Sequence, residues 1–406
     1  MRKRIALLTA QDILALCVIG GILRLVFVFL YQPSIPVAED VNIAQHLASG
    51  QGFSIYTRGP TSIKGPFYPA YLALWLWLLG EQNGLLAAVV LQHVVMATMP
   101  WWLFRLGQAI GREELGKGAA VLFALHPSYF YHPTVAENTT WIVVGGAVWG
   151  VLLFQGMQSR YWRLLAVVLG ALLGVFILEK PPLVLPMLGA LLLRLRRRGT
   201  ELALALGAAA AVVIPWMVRG WVVFGEPTVT KSYSAYLTFI HSWLPSMAVH
   251  PRYAVADSVG QVLDSLTRLP ESNALPALRA LAGDILQQRW WQLPERTLIH
   301  AVVYWTIPPR YWHAWSMPFI VVRVIPVAVL IVLFVWGAIL LWKYDRQLVL
   351  AIGGVLGAVT AFYAFYHVLN IRYKLEIEWL QLLVCAAPIC RVSTSRIYCP
   401  CHMSNL

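Results

Sequence analysis

Residues 37–53 read VAEDVNIAQHLASGQGF and residues 59–69 read GPTSIKGPFYP, and both follow an apolar run at 13–31 that is long enough to cross a bilayer. The first stretch predicts a short helix that opens with two adjacent acids and ends at a glycine turn. A plain connector after a membrane helix needs neither paired acids nor the nearby cations Arg58 and Lys64. The two stretches therefore indicate a functional loop at one membrane surface.

The composition of the whole chain is that of a membrane protein. Of its 406 residues, 59% are hydrophobic and only 12% are charged, and its mean hydropathy is +0.67. A soluble domain carries about 25% charged residues, so this chain has too few polar side chains to cover a water-soluble globule of its size. We predict an all-α polytopic membrane protein.

The apolar segments predict about ten membrane spans, because a helix needs about 20 residues to cross the hydrocarbon core. A further apolar stretch at 66–80 is expected to lie in the interface without crossing. The shortest predicted span begins with Pro181 and Pro182, which suit the first turn of a helix. The predicted spans lie at 12–31, 84–105, 117–133, 140–157, 162–178, 181–193, 202–223, 318–342, 347–366 and 376–390.

Basic residues set the predicted orientation of these spans. With the N-terminus in the cytoplasm, every inside loop carries Lys or Arg, including RLRRRG at 194–199, as the positive-inside rule requires. The C-terminus is then cytoplasmic as well. The net charge of +13 is mostly a consequence of this topology, so nucleic acid is not an expected partner.

The predicted spans divide the chain into parts. Residues 1–223 are expected to form an N-terminal transmembrane catalytic module with a large first outer loop at 32–83. Residues 224–317 are expected to form an extracytoplasmic, partly helical segment that rests on the membrane and is not an independent domain. C-terminal transmembrane helices at 318–390 and a cytoplasmic tail at 391–406 complete the chain.

Charged residues of both signs gather at the predicted outer ends of the spans. Cations in such a place suit the phosphate of a lipid-anchored substrate, which lies at that depth while its tail stays in the bilayer. A carboxylate there can remove a proton from an incoming hydroxyl group. The residues are Glu39, Asp40, Arg58, Lys64, His132, Glu137, Lys180, Arg372 and Lys374.

Several stretches resemble motifs of bacterial GT-C glycosyltransferases of the family 39-like type. That group is related to the dolichyl-phosphate-mannose protein mannosyltransferases and to the lipid A aminoarabinose transferase. The resemblance covers residues 1–230 well and 360–380 loosely. The matching stretches, in order, are AEDVNIAQHLASGQGF (38–53), GPTSIKGPFYPAYLALWLWLLG (59–80), HPSYFYHPTVAEN (126–138), LEKPP (178–182), IPWMVRGWVVFG (214–225) and NIRYKLEIEW (370–379).

The resemblance implies a GT-C type helical bundle and a mannosyltransferase-like hexosyltransferase of the cell envelope. Such an enzyme takes a sugar from a polyprenyl-phosphate donor. It transfers the sugar, with inversion, to a hydroxyl group of a lipid, glycan or protein on the outer face of the cytoplasmic (inner) membrane. The reaction needs a carboxylate base and cations for the leaving phosphate.

The motifs of the family assign these roles to positions in this chain. The base maps onto the pair Glu39 and Asp40, and which of the two it is stays open because their order is reversed here. The loop lysine that contacts the donor phosphate maps onto Lys64. Gly220 stands where the family has Asn, and Leu375-Glu376 replaces a proline pattern. Further candidates for phosphate contacts are Arg58, Lys180, Arg219, Arg372 and Lys374.

The same residues allow other interpretations. The acids could cap helices, and the cations could be ordinary interface residues. His132 and Glu137 are candidates for acceptor or metal contacts, and Glu39, Asp40 and Glu137 offer oxygen ligands for Mg²⁺ or Mn²⁺, although no complete metal motif is present. A non-catalytic transporter or flippase of lipid-linked sugars would share the charged surface but would place polar residues at mid-depth. Mainly Arg24 lies there, and it is expected to face the bundle and pair with an acid.

Overall fold

The computed structural model describes residues 7–31, 39–56, 59–155, 160–227, 232–307, 316–366 and 370–390. All regular structure in these ranges is helical, and the β-type pairing found in them is one isolated bridge between Ser54 and Pro60. The prediction of an all-α chain is therefore confirmed for this part of the sequence. The tail at 391–406 lies outside the described residues.

The helices follow one another with mostly short connections. Within the helix Met317–Tyr344, Ile320–Val324 form a π-helical turn. The helices are α1 (Ala10–Tyr31), α2 (Glu39–Ala48), α3 (Phe67–Leu79), α4 (Glu81–Ala97), α5 (Met99–Ala109), α6 (Glu113–Ala124), α7 (Pro127–Tyr131), α8 (Thr139–Gln155), α9 (Trp162–Glu179), α10 (Pro181–Leu195), α11 (Gly199–Phe224), α12 (Ser232–His241), α13 (Asp257–Leu266), α14 (Glu271–Arg289), α15 (Leu293–Trp305), α16 (Met317–Tyr344), α17 (Arg346–Tyr366) and α18 (Ile371–Cys385).

Long apolar helices dominate the architecture. Within the described ranges, six helical segments are long and apolar enough to cross a membrane: α1, the continuous pair α4–α5, α9, α11, α16 and α17. The helices α3, α8 and α10 are apolar but shorter. Large apolar side chains such as Ile22, Trp221 and Val332 are exposed on the long helices, as expected where lipid covers a helix. The chain thus has the helices of a multi-pass membrane protein, whereas about ten spans, like the orientation, stays a prediction.

One predicted span is interrupted. The segment 117–133 was expected to be a single helix, but α6 ends at Ala124 and the short α7 begins at Pro127. Proline has no N–H to continue a helix and restricts the preceding residue to extended conformations, and His126 has φ −81° and ψ 109°. The predicted boundaries of this span were therefore wrong, and the break turns the chain towards the loop at 132–138.

Close helix packing builds the membrane part. The helices α9 and α11 lie against each other along most of α9, and a Cβ at Gly170 would overlap the carbonyl oxygen of Ala205. Small residues at such a crossing let two backbones approach, which is how membrane helices gain packing energy when lipid is as apolar as their side chains. The C-terminal end of α9, at Glu179, is thereby fixed against its neighbours.

The last described helix, α18, lies in the centre of the bundle and packs against α6, α8 and α16. From Tyr373 to Ile389 nearly every residue is buried, although Lys374, Glu376 and Glu378 are charged. Charges buried at this depth are costly unless they are paired. Their partners therefore decide what this helix does.

The outer segment shares its hydrophobic core with the first outer loop. Trp243, Leu263 and Leu278 of the segment are buried in one cluster with Ile43 and Ile63 of the loop. A core with two contributors keeps both in a fixed relation. The segment contains the helices α12 to α15, and its place as an extracytoplasmic part of the chain stays a prediction.

Arg24 faces the interior of the bundle, as its sequence position predicted, and is 3% exposed. Its guanidinium donates to the Tyr129 carbonyl oxygen at 2.6 Å and lies over the ring of Phe130. The expectation of an acidic partner was therefore wrong for the described residues. Tyr129 lies at the C-terminal end of α7, and Pro133, four residues later, has no N–H to bond its carbonyl oxygen, so this oxygen can satisfy a guanidinium without a carboxylate.

Candidate active site

The two acids that open α2 meet Lys64. Its ammonium nitrogen lies 3.0 Å from a carboxylate oxygen of Glu39 and 3.1 Å from one of Asp40. The Asp40 side chain is 8% exposed and the Glu39 side chain 42%. Burial lowers the pKa of Lys64, but the charges of Asp40 and Glu39 more than offset this effect, so the pKa is raised and the ammonium keeps its charge.

A close contact between Gly65 and the end of α9 holds Lys64 beside the two acids of α2. A Cβ at Gly65 would lie 2.5 Å from a carboxylate oxygen of Glu179 and 2.6 Å from the Leu178 carbonyl oxygen, so only glycine fits. The Glu179 carboxylate accepts from the Phe67 N–H at 2.8 Å and from the Asn138 side-chain amide at 3.0 Å. One acid at the end of α9 thus fixes the loop at 59–66 and the turn before α8.

Arg372 and Glu137 form a second ion pair. Arg372 lies in the first turn of α18, which Asn370 caps through a hydrogen bond from the Arg372 N–H at 3.2 Å. Burial raises the pKa of Glu137, but the charge of Arg372, with smaller contributions from Lys64 and Lys180, outweighs it, so the pKa of Glu137 is lowered. Glu137 is therefore a carboxylate at neutral pH.

Lys180 and Glu376 form a third ion pair, and both are buried. The Tyr363 hydroxyl donates to the other carboxylate oxygen of Glu376 at 3.0 Å. The Lys180 ammonium also lies 4.8 Å from the centre of the Tyr373 ring, a cation–π contact. The cation between α9 and α10 is therefore tied to the central helix.

Five residues of these ion pairs converge on one polar cavity. It has a volume of about 210 Å³ and is lined by Asp40, Lys64, Glu137, Lys180 and Arg372, together with Asn138 and tyrosines of α17 and α18. Acids and bases that lie more than a hundred residues apart in sequence thus share one site. The sequence prediction placed all five at one membrane surface.

A wider vestibule adjoins this cavity. It has a volume of about 840 Å³ and shares Ile63, Lys64 and Arg372 with the cavity. Residues of the outer segment form its far wall, including His241, Asp257 and Asp264. Glu39 lines the vestibule, whereas Asp40 lines the inner cavity, so the two adjacent acids face different spaces.

An apolar cavity of about 210 Å³ lies inside the bundle, between α8, α10, α17 and α18. Its lining is aliphatic and aromatic, for example Trp149, Met187 and Trp379, and Glu376 is its one charged lining residue. Glu376 pairs with Lys180 of the polar cavity. The apolar cavity and the polar cavity therefore approach the same ion pair.

Two of the predicted phosphate ligands, Arg219 and Lys374, do not line the polar cavity. Arg219 donates instead to the carbonyl oxygens of Phe53 at 3.0 Å and Thr61 at 3.2 Å. Lys374 points into the bundle, where it donates to the Trp305 carbonyl oxygen at 3.2 Å. We therefore omit both from the phosphate site, because neither lines the cavity. Arg58 lies outside the described residues.

His132 is half-buried in the turn before Glu137 and does not line the polar cavity. Burial, with the charge of Arg372 acting in the same direction and Glu137 opposing it, lowers the pKa of His132 to about 4. The imidazole is thus neutral near pH 7. Its place beside Glu137 suits packing of the turn and gives it no direct contact with a substrate in this cavity.

The carboxylates do not fit a divalent cation. Mg²⁺ or Mn²⁺ prefers several oxygen ligands, and Glu39, Asp40 and Glu137 were the predicted set. Each of them instead has a Lys or Arg partner, and the described residues hold no group of three His, Cys, Asp or Glu side chains that could bind a metal. We therefore derive no step through a metal ion.

Sequence reasoning missed a buried cluster of ionisable residues inside the bundle, namely His126, Arg323, Lys374 and Glu378. The Glu378 carboxylate lies 3.4 Å from the ammonium of Lys374 and 3.5 Å from the guanidinium of Arg323. Arg323 sits in the π-helical turn of α16, inside an apolar run. An ionisable residue within a predicted span was the signal that could have revealed this buried cluster.

No family model and no curated protein sequence matches this chain. Among solved structures, the chain is similar to the crystal structure of ArnT from Cupriavidus metallidurans bound to undecaprenyl phosphate, with a TM-score of 0.43 and 17% sequence identity. The similarity covers 94% of this chain and 78% of that one. Any function of this chain has to be argued from the geometry of its own residues.

Proposed function

We propose that this chain is a membrane glycosyltransferase of the GT-C type, which transfers a sugar from a polyprenyl-phosphate donor to an acceptor hydroxyl group with inversion. The observation that carries the proposal is the convergence of Asp40, Lys64, Lys180 and Arg372 on one polar cavity that meets an apolar cavity at the Lys180–Glu376 pair. A lipid phosphate needs cations at its head and an apolar space for its tail.

In this reaction the acceptor oxygen attacks the anomeric carbon of the donor sugar. Asp40 takes the proton of the acceptor hydroxyl as general base, the new glycosidic C–O bond forms, and the bond between the anomeric carbon and the phosphate oxygen breaks. We assign the base to Asp40 rather than Glu39, because Asp40 is buried and lines the polar cavity. The Lys64 ammonium at 3.1 Å orients its carboxylate.

Three cavity cations, Lys64, Lys180 and Arg372, hold the leaving phosphate. Lys180 and Arg372 each contact a carboxylate in this structure, Glu376 and Glu137 respectively. A phosphate offers the same kind of oxygen acceptors as these carboxylates, so it can take their place and receive charge-assisted hydrogen bonds. These bonds strengthen as the phosphate gains charge on leaving, which lowers the barrier of the chemical step.

The two larger spaces suit the other parts of the substrates. The apolar cavity between α8, α10, α17 and α18 would take the first isoprene units of the donor. The vestibule would admit the acceptor, because it adjoins the cavity at Lys64, whose ammonium contacts Asp40. Inversion requires the acceptor hydroxyl to approach the anomeric carbon from the face opposite the leaving phosphate.

The test is to incubate the purified chain with a series of polyprenyl-phosphate sugars and an acceptor extract, and to measure the release of polyprenyl phosphate. We expect release by the native chain and a loss of about 10²- to 10⁴-fold in Asp40→Asn, the usual contribution of a general base. Glu39→Gln should lose much less activity. Equal rates in the two variants would contradict the assignment of the base.

The same preparation separates the proposed enzyme from a transporter or flippase. Reconstituted into vesicles, a flippase would move the intact lipid-linked sugar across the bilayer. It would break no bond, so it would need neither Asp40 nor Glu39 as a base. Movement of the donor without release of polyprenyl phosphate, equal in the native chain and in Asp40→Asn, would favour the flippase and reject the transferase.

A further inference from the structure

The loop at 59–66 is held by a buried acid of the outer segment. Glu271 opens α14 and is only 2% exposed. One of its carboxylate oxygens accepts from the Ser62 N–H at 2.6 Å and from the Ser62 hydroxyl at 2.9 Å. The other accepts from the Thr61 hydroxyl. Both oxygens are therefore occupied by two successive residues that come shortly before Lys64.

The same loop is held from a second side. Arg219 of α11 donates to the Thr61 carbonyl oxygen and to the Phe53 carbonyl oxygen, and its guanidinium packs over the rings of Phe53 and Trp216. The groups that face Glu271 are thus Thr61, Ser62 and, through its charge, Arg219. The loop has little freedom to shift while these contacts hold.

A buried acid is an expensive way to fix a surface loop. Burial raises the pKa of Glu271, and the hydrogen bonds from Thr61 and Ser62 only partly oppose this effect. An apolar side chain in its place would avoid the desolvation cost of a carboxylate. Directional bonds to one backbone N–H and two hydroxyl groups instead specify where the loop lies, which an apolar contact cannot do.

We propose that Glu271 is a positioning residue for Lys64. By fixing Ser62, it sets the place from which Lys64, two residues later, reaches Asp40 and the donor phosphate. The part of this inference that concerns the donor rests on the proposed function, whereas the hold on the loop does not. It also gives a role to the outer segment, whose α14 then acts as a template for the catalytic loop.

The test compares Glu271→Ala and Glu271→Gln with the native full-length chain. For Glu271→Ala we expect faster amide hydrogen exchange across residues 59–66 and a rise of about tenfold in the donor KM, the equivalent of one charge-assisted hydrogen bond, with a smaller fall in kcat. Glu271→Gln should recover part of both effects, because its amide oxygen can still accept from the Ser62 N–H. Glu226→Gln, which alters an exposed pair with Arg279 in the same region, is the matched control and should behave as the native chain.

A double-mutant cycle decides whether Glu271 acts through Lys64. When Lys64→Ala is already present, Glu271→Ala should raise the donor KM no further, because the group that it positions is gone. Two effects that multiply would overturn the proposal, as would unchanged exchange at 59–66 in Glu271→Ala. If the native chain releases no polyprenyl phosphate from any donor, the proposed function fails, and the exchange result alone then decides whether Glu271 holds the loop.

Discussion

Two groups of charges on α18 differ in access. Arg372 and Glu376 lie one turn apart on the helix, and they line the polar cavity and the apolar cavity, respectively. Lys374 and Glu378, also one turn apart, belong to the buried cluster with Arg323 and His126. Residues two positions apart in a helix are separated by about 200° around its axis. Arg372 and Glu376 therefore face one side of α18, and Lys374 and Glu378 face the opposite side. None of the cavities described above is lined by the buried cluster.

This difference teaches that ion pairs of the same chemistry can serve two purposes. A pair beside a cavity can exchange its partner for a substrate oxygen, so its strength sets affinity. A pair sealed inside the bundle has no substitute for a lost partner, so its strength sets stability. The predictions below test whether access divides the charges of α18 in this way.

The largest effect is expected on breaking the buried cluster. Glu378→Gln leaves the charges of Lys374 and Arg323 without their shared carboxylate, and Glu378 is 0% exposed. We expect a loss of about 3–5 kcal/mol in the free energy of unfolding, the usual cost of removing one partner of a buried pair. Thermal unfolding in detergent measures it. Glu137→Gln, at a pair whose side chains are partly exposed, should lose clearly less, and an equal loss would remove the distinction.

A smaller effect, on affinity rather than stability, is expected at the cavity cations. Lys180→Met and Arg372→Met each remove one charge-assisted contact to the phosphate, so the donor KM should rise by about 10- to 100-fold. Binding of polyprenyl phosphate without turnover gives the same comparison. Arg219→Met, which weakens a loop contact instead, is the matched arginine control for Arg372→Met. A larger loss of phosphate affinity in Arg219→Met than in Arg372→Met would contradict the assignment of the phosphate to the polar cavity.

A severalfold effect is expected on narrowing the vestibule. Gly260 of α13 lines the vestibule wall, so Gly260→Trp should lower the acceptor-dependent rate. Slow hydrolysis of the donor, measured without an acceptor, should continue. Gly283→Trp on α14 is the matched control, since Gly283 does not line the vestibule and a Cβ there meets open space. If both substitutions lower the acceptor-dependent rate equally, the acceptor does not use this path.

The smallest effect is expected from a chelator. Because Lys64 and Arg372 already hold the cavity carboxylates, removal of divalent cations should leave the rate of polyprenyl phosphate release unchanged. Activity is measured after dialysis against EDTA and again after Mg²⁺ or Mn²⁺ is restored. A rate that falls with EDTA and recovers with either metal would show that the carboxylates rearrange to bind it.

Local patterns made part of this structure predictable. The acidic start of α2 and the prolines that open α10 depend on neighbouring residues, and both were predicted correctly. Contacts over long distances were not readable. Nothing near Glu271 in the sequence indicates that it bonds to Ser62, and nothing near Arg24 indicates that it donates to the Tyr129 carbonyl oxygen, 105 residues away.

The candidate site follows the same division. That Asp40, Lys64, Glu137, Lys180 and Arg372 lie at span ends could be read from hydropathy, and the structure brings all five to one cavity. The sequence could not predict which of the other cations line this cavity, because Lys374 differs from Arg372 only by the side of α18 on which it lies. The face that a residue takes on a buried helix depends on the packing of that helix, which the apolar sequence around it does not specify.

An experimental structure with polyprenyl phosphate bound tests the central claim most directly. We predict that the phosphate lies within hydrogen-bond distance of the side-chain nitrogens of Lys180 and Arg372, that Glu376 and Glu137 have given up these partners, and that the prenyl chain enters the apolar cavity. A phosphate bound at Arg219 or elsewhere on the surface, with both cavity pairs intact, would contradict the account.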